Sequence, residues 1–114
     1  MIDMPIRIIA PMAALALAFA AFAAQADTAT AEVRIKNHRF HPAELRVPAG
    51  QRIKLTVHND DATPEEFESQ ALRVEKIVTG NNDAVVYFGP LDPGEYHFFG
   101  EFHQATAQGK VIAE

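Results

Sequence analysis

Arg52-Ile53-Lys54-Leu55-Thr56-Val57-His58-Asn59 decides the reading of this chain. Ile53, Leu55 and Val57 fall on one side of an extended segment, and Lys54, Thr56 and His58 on the other. Strict alternation over eight residues is the signature of a half-buried strand, because side chains of a strand point to opposite faces in turn. Turn chemistry bounds it on both sides: Pro48-Ala49-Gly50 before, and Asn59-Asp60-Asp61-Ala62-Thr63-Pro64 after.

Outward from this strand the pattern repeats in short pieces. Val33, Ile35 and Asn37 alternate with Arg34, Lys36 and His38, followed by a bend at Phe40 and Pro42. Glu44 to Val47 alternates again. On the C-terminal side, Glu65 to Ser69 is short and acidic with Phe67 inward, and a single short helical turn near Pro64 to Gln70 is a further reading of it. A weak strand runs from Leu72 to Val78. Ala84 to Phe88 and Glu95 to Phe99 are strands around the turn Pro90-Leu91-Asp92-Pro93-Gly94, and Lys110 to Ala113 closes the chain. Short strands with turns every eight to twelve residues, and no segment of adequate helical period, predict an all-β Greek-key sandwich of about seven to eight strands. The expected core is Val33, Ile35, Leu45, Val47, Ile53, Leu55, Val57, Val85, Tyr96, Phe98 and Val111.

The first 26 residues read differently. Arg7 precedes an apolar run, Ile8 to Ala24, and Ala24-Gln25-Ala26 is a small-x-small triplet. This is the pattern of a secretory signal peptide cut before Asp27, giving an exported domain over residues 27–114 that does not span the membrane after processing. Pro11 and the short length argue against a transmembrane helix. Of 15 acidic and 10 basic residues, Asp3 and Arg7 belong to the leader, so the domain is acidic by 14 to 9. No basic cluster appears, which argues against nucleic acid as a partner. There is no Cys, hence no disulfide and no thiol nucleophile. Ser69 is the single Ser and lacks a nucleophile-elbow frame, so no hydrolase or transferase signature is present.

The remaining chemistry lies in Gly100-Glu101-Phe102-His103-Gln104-Ala105-Thr106-Ala107-Gln108-Gly109. Its spacing is that of a copper loop, Cys-x-x-His followed by Met and Gly, with Gly100 in the Cys place and Ala107 in the Met place. Together with Phe40-His41-Pro42, Val47-Pro48-Ala49-Gly50, Glu65-Glu66-Phe67 and Gly89-Pro90-Leu91-Asp92-Pro93-Gly94-Glu95-Tyr96, in that chain order, it makes the sequence resemble the small periplasmic cupredoxins. The resemblance implies a sandwich whose Asn59–Glu68 and Gly100–Gln108 loops meet at one end. It also implies that a ligand His belongs at Glu65 or Glu66. Three of the four copper ligands are therefore replaced, and a blue-copper centre, which needs a thiolate, is not expected.

Within that family the Glu-Glu-Phe-Glu-Ser and Gly-Glu-Phe-His pieces look like the cupredoxin partners of bacterial iron-permease systems. That likeness implies a periplasmic protein that binds or oxidises iron. It would do so with non-blue copper or iron itself, beside a periplasmic iron-binding protein and an inner-membrane iron permease.

The candidate metal ligands are Glu66, Glu101 and His103, with Glu65 and Glu68 beside them. Carboxylates with one imidazole suit Fe(II), Fe(III), Mn(II) or Cu(II) rather than Cu(I). On extended backbone Glu66 and Glu68 share a face, and Glu101 and His103 share another. His38 is an additional candidate. His58 and His97 are expected at the surface, and Glu75 paired with Arg73 or Lys76. The alternative function is a metal-free cupredoxin-like module that binds another protein through the same loop end.

Overall fold

The computed structural model describes residues 27–114, and Asp3 in isolation; the expected signal peptide lies outside the described residues. Nine strands form two sheets. β1 is Thr28–Lys36, β2 Arg39–His41, β3 Glu44–Val47, β4 Arg52–Asn59, β5 Glu65–Ser69, β6 Val74–Val78, β7 Asn82–Phe88, β8 Gly94–Gly100 and β9 Gln108–Ala113. One sheet has the order β2-β1-β4-β7 and the other β3-β9-β8-β5-β6. Both are mixed: β1 runs parallel to β4 and β3 parallel to β9, while the remaining pairs are antiparallel.

The alternation read from the sequence is the alternation of burial. Ile53, Leu55 and Val57 are completely enclosed, as are Ile35, Phe67, Phe98 and Val111. Side chains of the two inner faces interdigitate, the ordinary way a sandwich removes apolar surface from water. Below one end of the sandwich three aromatic rings close the core. Phe98 meets Phe40 edge-on at 4.9 Å and Phe67 at 4.9 Å, with Phe40 and Phe67 at 5.9 Å. They form the floor of the end that carries His38, Glu65 and His103.

Several expectations are corrected. Among the described residues there are nine strands rather than seven to eight, because the bend at Phe40 is a three-residue strand paired with β1. Pro64 to Gln70 contains no helical turn: Glu65–Ser69 is β5, held between β6 and β8. The sixth strand starts at Val74 rather than Leu72, and the last starts at Gln108 rather than Lys110. In β7 it is Val86 that points inward and Val85 that is exposed, and Tyr96 is only half-buried. A run such as Ala84-Val85-Val86-Tyr87-Phe88 is apolar on both phases, so its inward face was not legible. Pairing with β4 fixes it.

Candidate metal centre

The end of the sandwich that carries His103 is assembled by three local devices. The first is the β1–β2 hairpin. Lys36 pairs with Arg39, leaving Asn37 and His38 as a two-residue loop with φ of 52° and 56°. Positive φ at both central residues is the type I′ pattern that matches strand twist, and Asn is among the residues that adopt it most readily. The Asp61 carboxylate accepts from the Asn37 and His38 backbone N–H groups, each at 2.9 Å, so the turn is clamped from a different loop. Burial pushes the Asp61 pKa up, but these two hydrogen bonds, with the charges of His38 and Lys36, outweigh it and hold the pKa below its ordinary value.

The second device is Asn59, buried at the end of β4. Its amide donates to the Thr63 carbonyl at 2.8 Å and the Val78 carbonyl at 3.1 Å, and its oxygen accepts from Asp61 N–H at 3.1 Å. This fixes the loop leading into β5. The third is a 3-10 helical turn, Glu101–His103, between β8 and β9, closed by Ala107 N–H donating to the His103 carbonyl at 2.8 Å.

These devices deliver Glu65, the first residue of β5, into the interior with only 1% of its surface exposed. Its carboxylate accepts from the backbone N–H of Glu66 at 3.0 Å and of Phe102 at 2.9 Å, and lies 2.6 Å from His103 Nδ1. The His38 ring stacks on the His103 ring at 3.6 Å, 11° from parallel. Donor atoms of His38, Glu65 and His103 all lie within 4.8 Å of one another. No buried side-chain nitrogen or oxygen among the described residues lacks a hydrogen-bond partner, so the Glu65 carboxylate is satisfied as it stands.

The other expected ligands go elsewhere. Glu66 and Glu68 point to the outer face of β5, where Glu68 stands opposite Glu75 on β6, and Glu66, Glu68 and Glu75 present donor atoms within 4.8 Å. Glu101 joins this outer group. The pKa of Glu66 is pushed up to about 7, first by a hydrogen bond with the Glu75 carboxyl, then by desolvation and the negative charges around it. That of Glu68 is raised by desolvation and by hydrogen bonding and repulsion with Glu101. Glu101 and His103 do not share a face, because the backbone between them is a 3-10 turn rather than a strand. The expected set thus divides: Glu65 and His103 are together inside with His38, while Glu66, Glu68 and Glu101 are together outside with Glu75. Glu75 is part of that carboxylate group rather than a partner of Arg73 or Lys76. His97 is exposed, as expected. His58 is mostly covered, its side chain 15% exposed between Asp83 and Glu32.

Four positions converge at this end: 65, 100, 103 and 107. Gly100 N–H donates to the Ala107 carbonyl at 2.9 Å, and Ala107 is fully buried. A Cβ at position 100 would stand 2.6 Å from Glu65 Cδ and 2.7 Å from the Ala107 Cβ. A family model described as a cupredoxin-like domain matches residues 8–113. The chain belongs to the cupredoxin-like family.

Among curated proteins, this cupredoxin-like chain is 47% identical over 81 residues to an uncharacterised protein of Rickettsia prowazekii, covering 71% of the chain and 65% of that relative's length. Its fold is similar to that of the metal-binding domain of the Cu(I)-exporting P-type ATPase CopA of Streptococcus pneumoniae. The TM-score is 0.65 at 15% identity, over 76% of this chain and 86% of that one. It is equally similar to auracyanin A, a blue copper protein of Chloroflexus aurantiacus, with a TM-score of 0.65 at 18% identity, over 77% of this chain and all of that one.

Blue copper does not fit this end. The chain has no thiolate to offer, and the volume that a side chain at position 100 would need is taken by the Glu65 carboxyl group. Two imidazoles and a carboxylate do match the donor preferences of a harder divalent ion. In the sequence His38 stands only as an additional candidate. The signal that finds it is Asn37-His38 as a two-residue turn between alternating segments.

Proposed function

We propose that this cupredoxin-like domain is a periplasmic metal-binding protein without a thiolate, serving iron uptake. It takes Fe(II), or Cu(II) of the non-blue kind, on imidazole and carboxylate donors. The observation that carries the reading is the convergence of His38, Glu65 and His103 within 4.8 Å at the end where the family places its ligands. Glu66, Glu68 and Glu101, with Glu75, add a carboxyl cluster on the outer face of the same strand, whose negative charge is held down at neutral pH by the raised pKa of Glu66 and grows above it. Such charge attracts cations and raises their local concentration. Two imidazoles with one carboxylate are the donor set that non-haem iron sites use, leaving other coordination positions open. Delivery to an inner-membrane iron permease, beside a periplasmic iron-binding protein, is the context in which such a domain would work.

Metal analysis and titration calorimetry on the protein with Fe(II), Cu(II), Mn(II) and Zn(II) test this. Loss of one inner donor in His103→Ala weakens binding by about ten- to a thousand-fold, at roughly 1.4 kcal/mol per decade. Glu44→Ala, on the exposed phase of β3, leaves binding unchanged. Equal affinity in His103→Ala and the parent would sink the metal reading.

One observation favours the second reading, a metal-free interaction module. Glu65 already accepts two backbone N–H groups and contacts His103, so the centre is complete without an ion. Absence of binding for all four metals selects it.

A further inference from the structure

Every sheet edge offers unpaired backbone donors and acceptors to another strand, and proteins protect their edges with short length, charge or Pro. Three of the four edge strands here are protected. β2 has three residues, two of them Arg39 and His41, and runs into Pro42. β3 has four residues, including Glu44 and Arg46, between Pro42 and Pro48. β6 carries Glu75 and Lys76. β7 is the exception: seven residues, Asn82-Asp83-Ala84-Val85-Val86-Tyr87-Phe88, with no Lys, Arg, Pro or Gly and one charge. Its outer face exposes Val85 by 39% and Tyr87 by 49%. These are two of the four exposed large apolar side chains among the described residues; Ile77, 56% exposed, lies on the outer face of the other sheet, opposite Glu66.

We infer that β7 pairs with β7 of a second copy of this chain, in an antiparallel two-fold contact that joins two four-stranded sheets into one of eight. The choice of occupant rests on self-complementarity. A two-fold centred on Val85, the middle residue of β7, pairs the strand over its whole length. Asn82 then faces Phe88 of the second copy, Asp83 faces Tyr87, Ala84 faces Val86, and Val85 faces Val85. Opposed residues point to the same side, so the inward phase of Ala84, Val86 and Phe88 continues unbroken into the second copy. On the outer phase the charges match. The Arg52 guanidinium lies 4.8 Å above the Tyr87 ring, and Lys54 is the β4 partner of Tyr87. Asp83 of one copy therefore arrives beside the basic end of the other, twice by symmetry. An isologous contact of this kind closes on itself and stops at two copies.

The chain's lack of Cys makes the test direct. Protein recovered from cells expressing the full chain is held in chelator, and its mass is measured by sedimentation and light scattering over a concentration series. The parent is a dimer, and Val85→Lys, which places two ammonium groups on the two-fold axis, is a monomer with an unchanged far-ultraviolet circular dichroism spectrum. Opposed residues of an antiparallel pair have Cα atoms about 4.5–5.5 Å apart, within disulfide reach. Mild oxidation therefore links Val85→Cys into a covalent dimer well before Tyr87→Cys or Asp83→Cys alone, and links an equal mixture of the latter two to each other. A parent that stays monomeric at its highest soluble concentration leaves the edge to a strand of some other protein and overturns the proposal. So does a Val85→Cys variant that oxidises no faster than the two off-axis variants.

Discussion

Glu65 is the most deeply enclosed charged residue among the described residues. A buried carboxylate is tolerated only where hydrogen bonds replace its lost hydration, and here two backbone N–H groups and His103 do so. Glu65→Ala removes all three interactions and leaves a cavity. It should cost about 3 kcal/mol or more, the scale of stranding buried partners, read as a fall in the midpoint of urea unfolding. Glu65→Gln retains the shape and costs less. The Glu65 carboxyl group also bars the family's sulfur ligand, since any side chain at position 100 meets it at 2.6 Å. Hence Gly100→Cys alone is destabilising and gives no intense blue-copper band with Cu(II). The triple change Glu65→His, Gly100→Cys and Ala107→Met, with His103 retained, completes a thiolate, two imidazoles and a thioether. Absorption spectroscopy of the Cu(II)-loaded triple variant should show the intense visible charge-transfer band, and its absence would mean the four positions converge less closely than described.

At the scale of elements, the centre depends on loops anchored from outside it. Asn59 makes four hydrogen bonds, to Thr63, Val78, Thr79 and Asp61, that tie the end of β4, the turn through Thr63 and the end of β6 into one unit. Asp61, next but one along the chain, then clamps the β1–β2 turn that carries His38. Asn59→Ala leaves several buried backbone groups without partners and should cost about 2–4 kcal/mol, at about 1–3 kcal/mol for each group left unsatisfied. Its further consequence is specific: the loop bearing Asp61 and Glu65 loosens, so amide hydrogen exchange should accelerate at Asn37 and His38, far along the chain. Unchanged protection there would show that the hairpin holds its turn without the clamp.

For the molecule as a whole, the titrating groups predict an unusual pH profile. His58 Nδ1 lies 2.7 Å from Asp83 and its Nε2 3.4 Å from Glu32, joining β1, β4 and β7. The Asp83 hydrogen bond, partly offset by desolvation, raises its pKa above 6.5. A group whose pKa rises on folding stabilises the fold fully below its unfolded pKa, and that contribution is lost as pH climbs through the folded one. The same sign holds for Glu66, raised from 4.5 to about 7, and for Glu68. Asp61 has the opposite sign, its contribution lost only as pH falls below 3.8 through its lowered value. In chelator the melting temperature should therefore decline as pH rises from 4.5 through neutrality, and Glu66→Gln should flatten the part between 4.5 and 7. A flat profile in the parent would contradict the carboxylate grouping on β5 and β6.

The sequence by itself determined the architecture, because alternation in strands such as Arg52–Asn59 and Glu44–Val47 is a local property that burial in the sandwich can only obey. It also determined which chemistry is lost, since a chain without Cys has no thiolate whatever its fold. Tertiary structure decided which candidates meet. Adjacent in sequence, Glu65 and Glu66 are on opposite faces of β5, one enclosed against His103 and the other among carboxylates outside. Period-two geometry forces that division, but only the pairing of β5 with β6 and β8 says which of the two is inside. His38 reaches His103 across 65 positions of sequence because Asp61, from a third segment, holds its turn in place. Such contacts are set by the parallel pairing of β1 with β4, a long-range arrangement to which no local pattern in the chain responds.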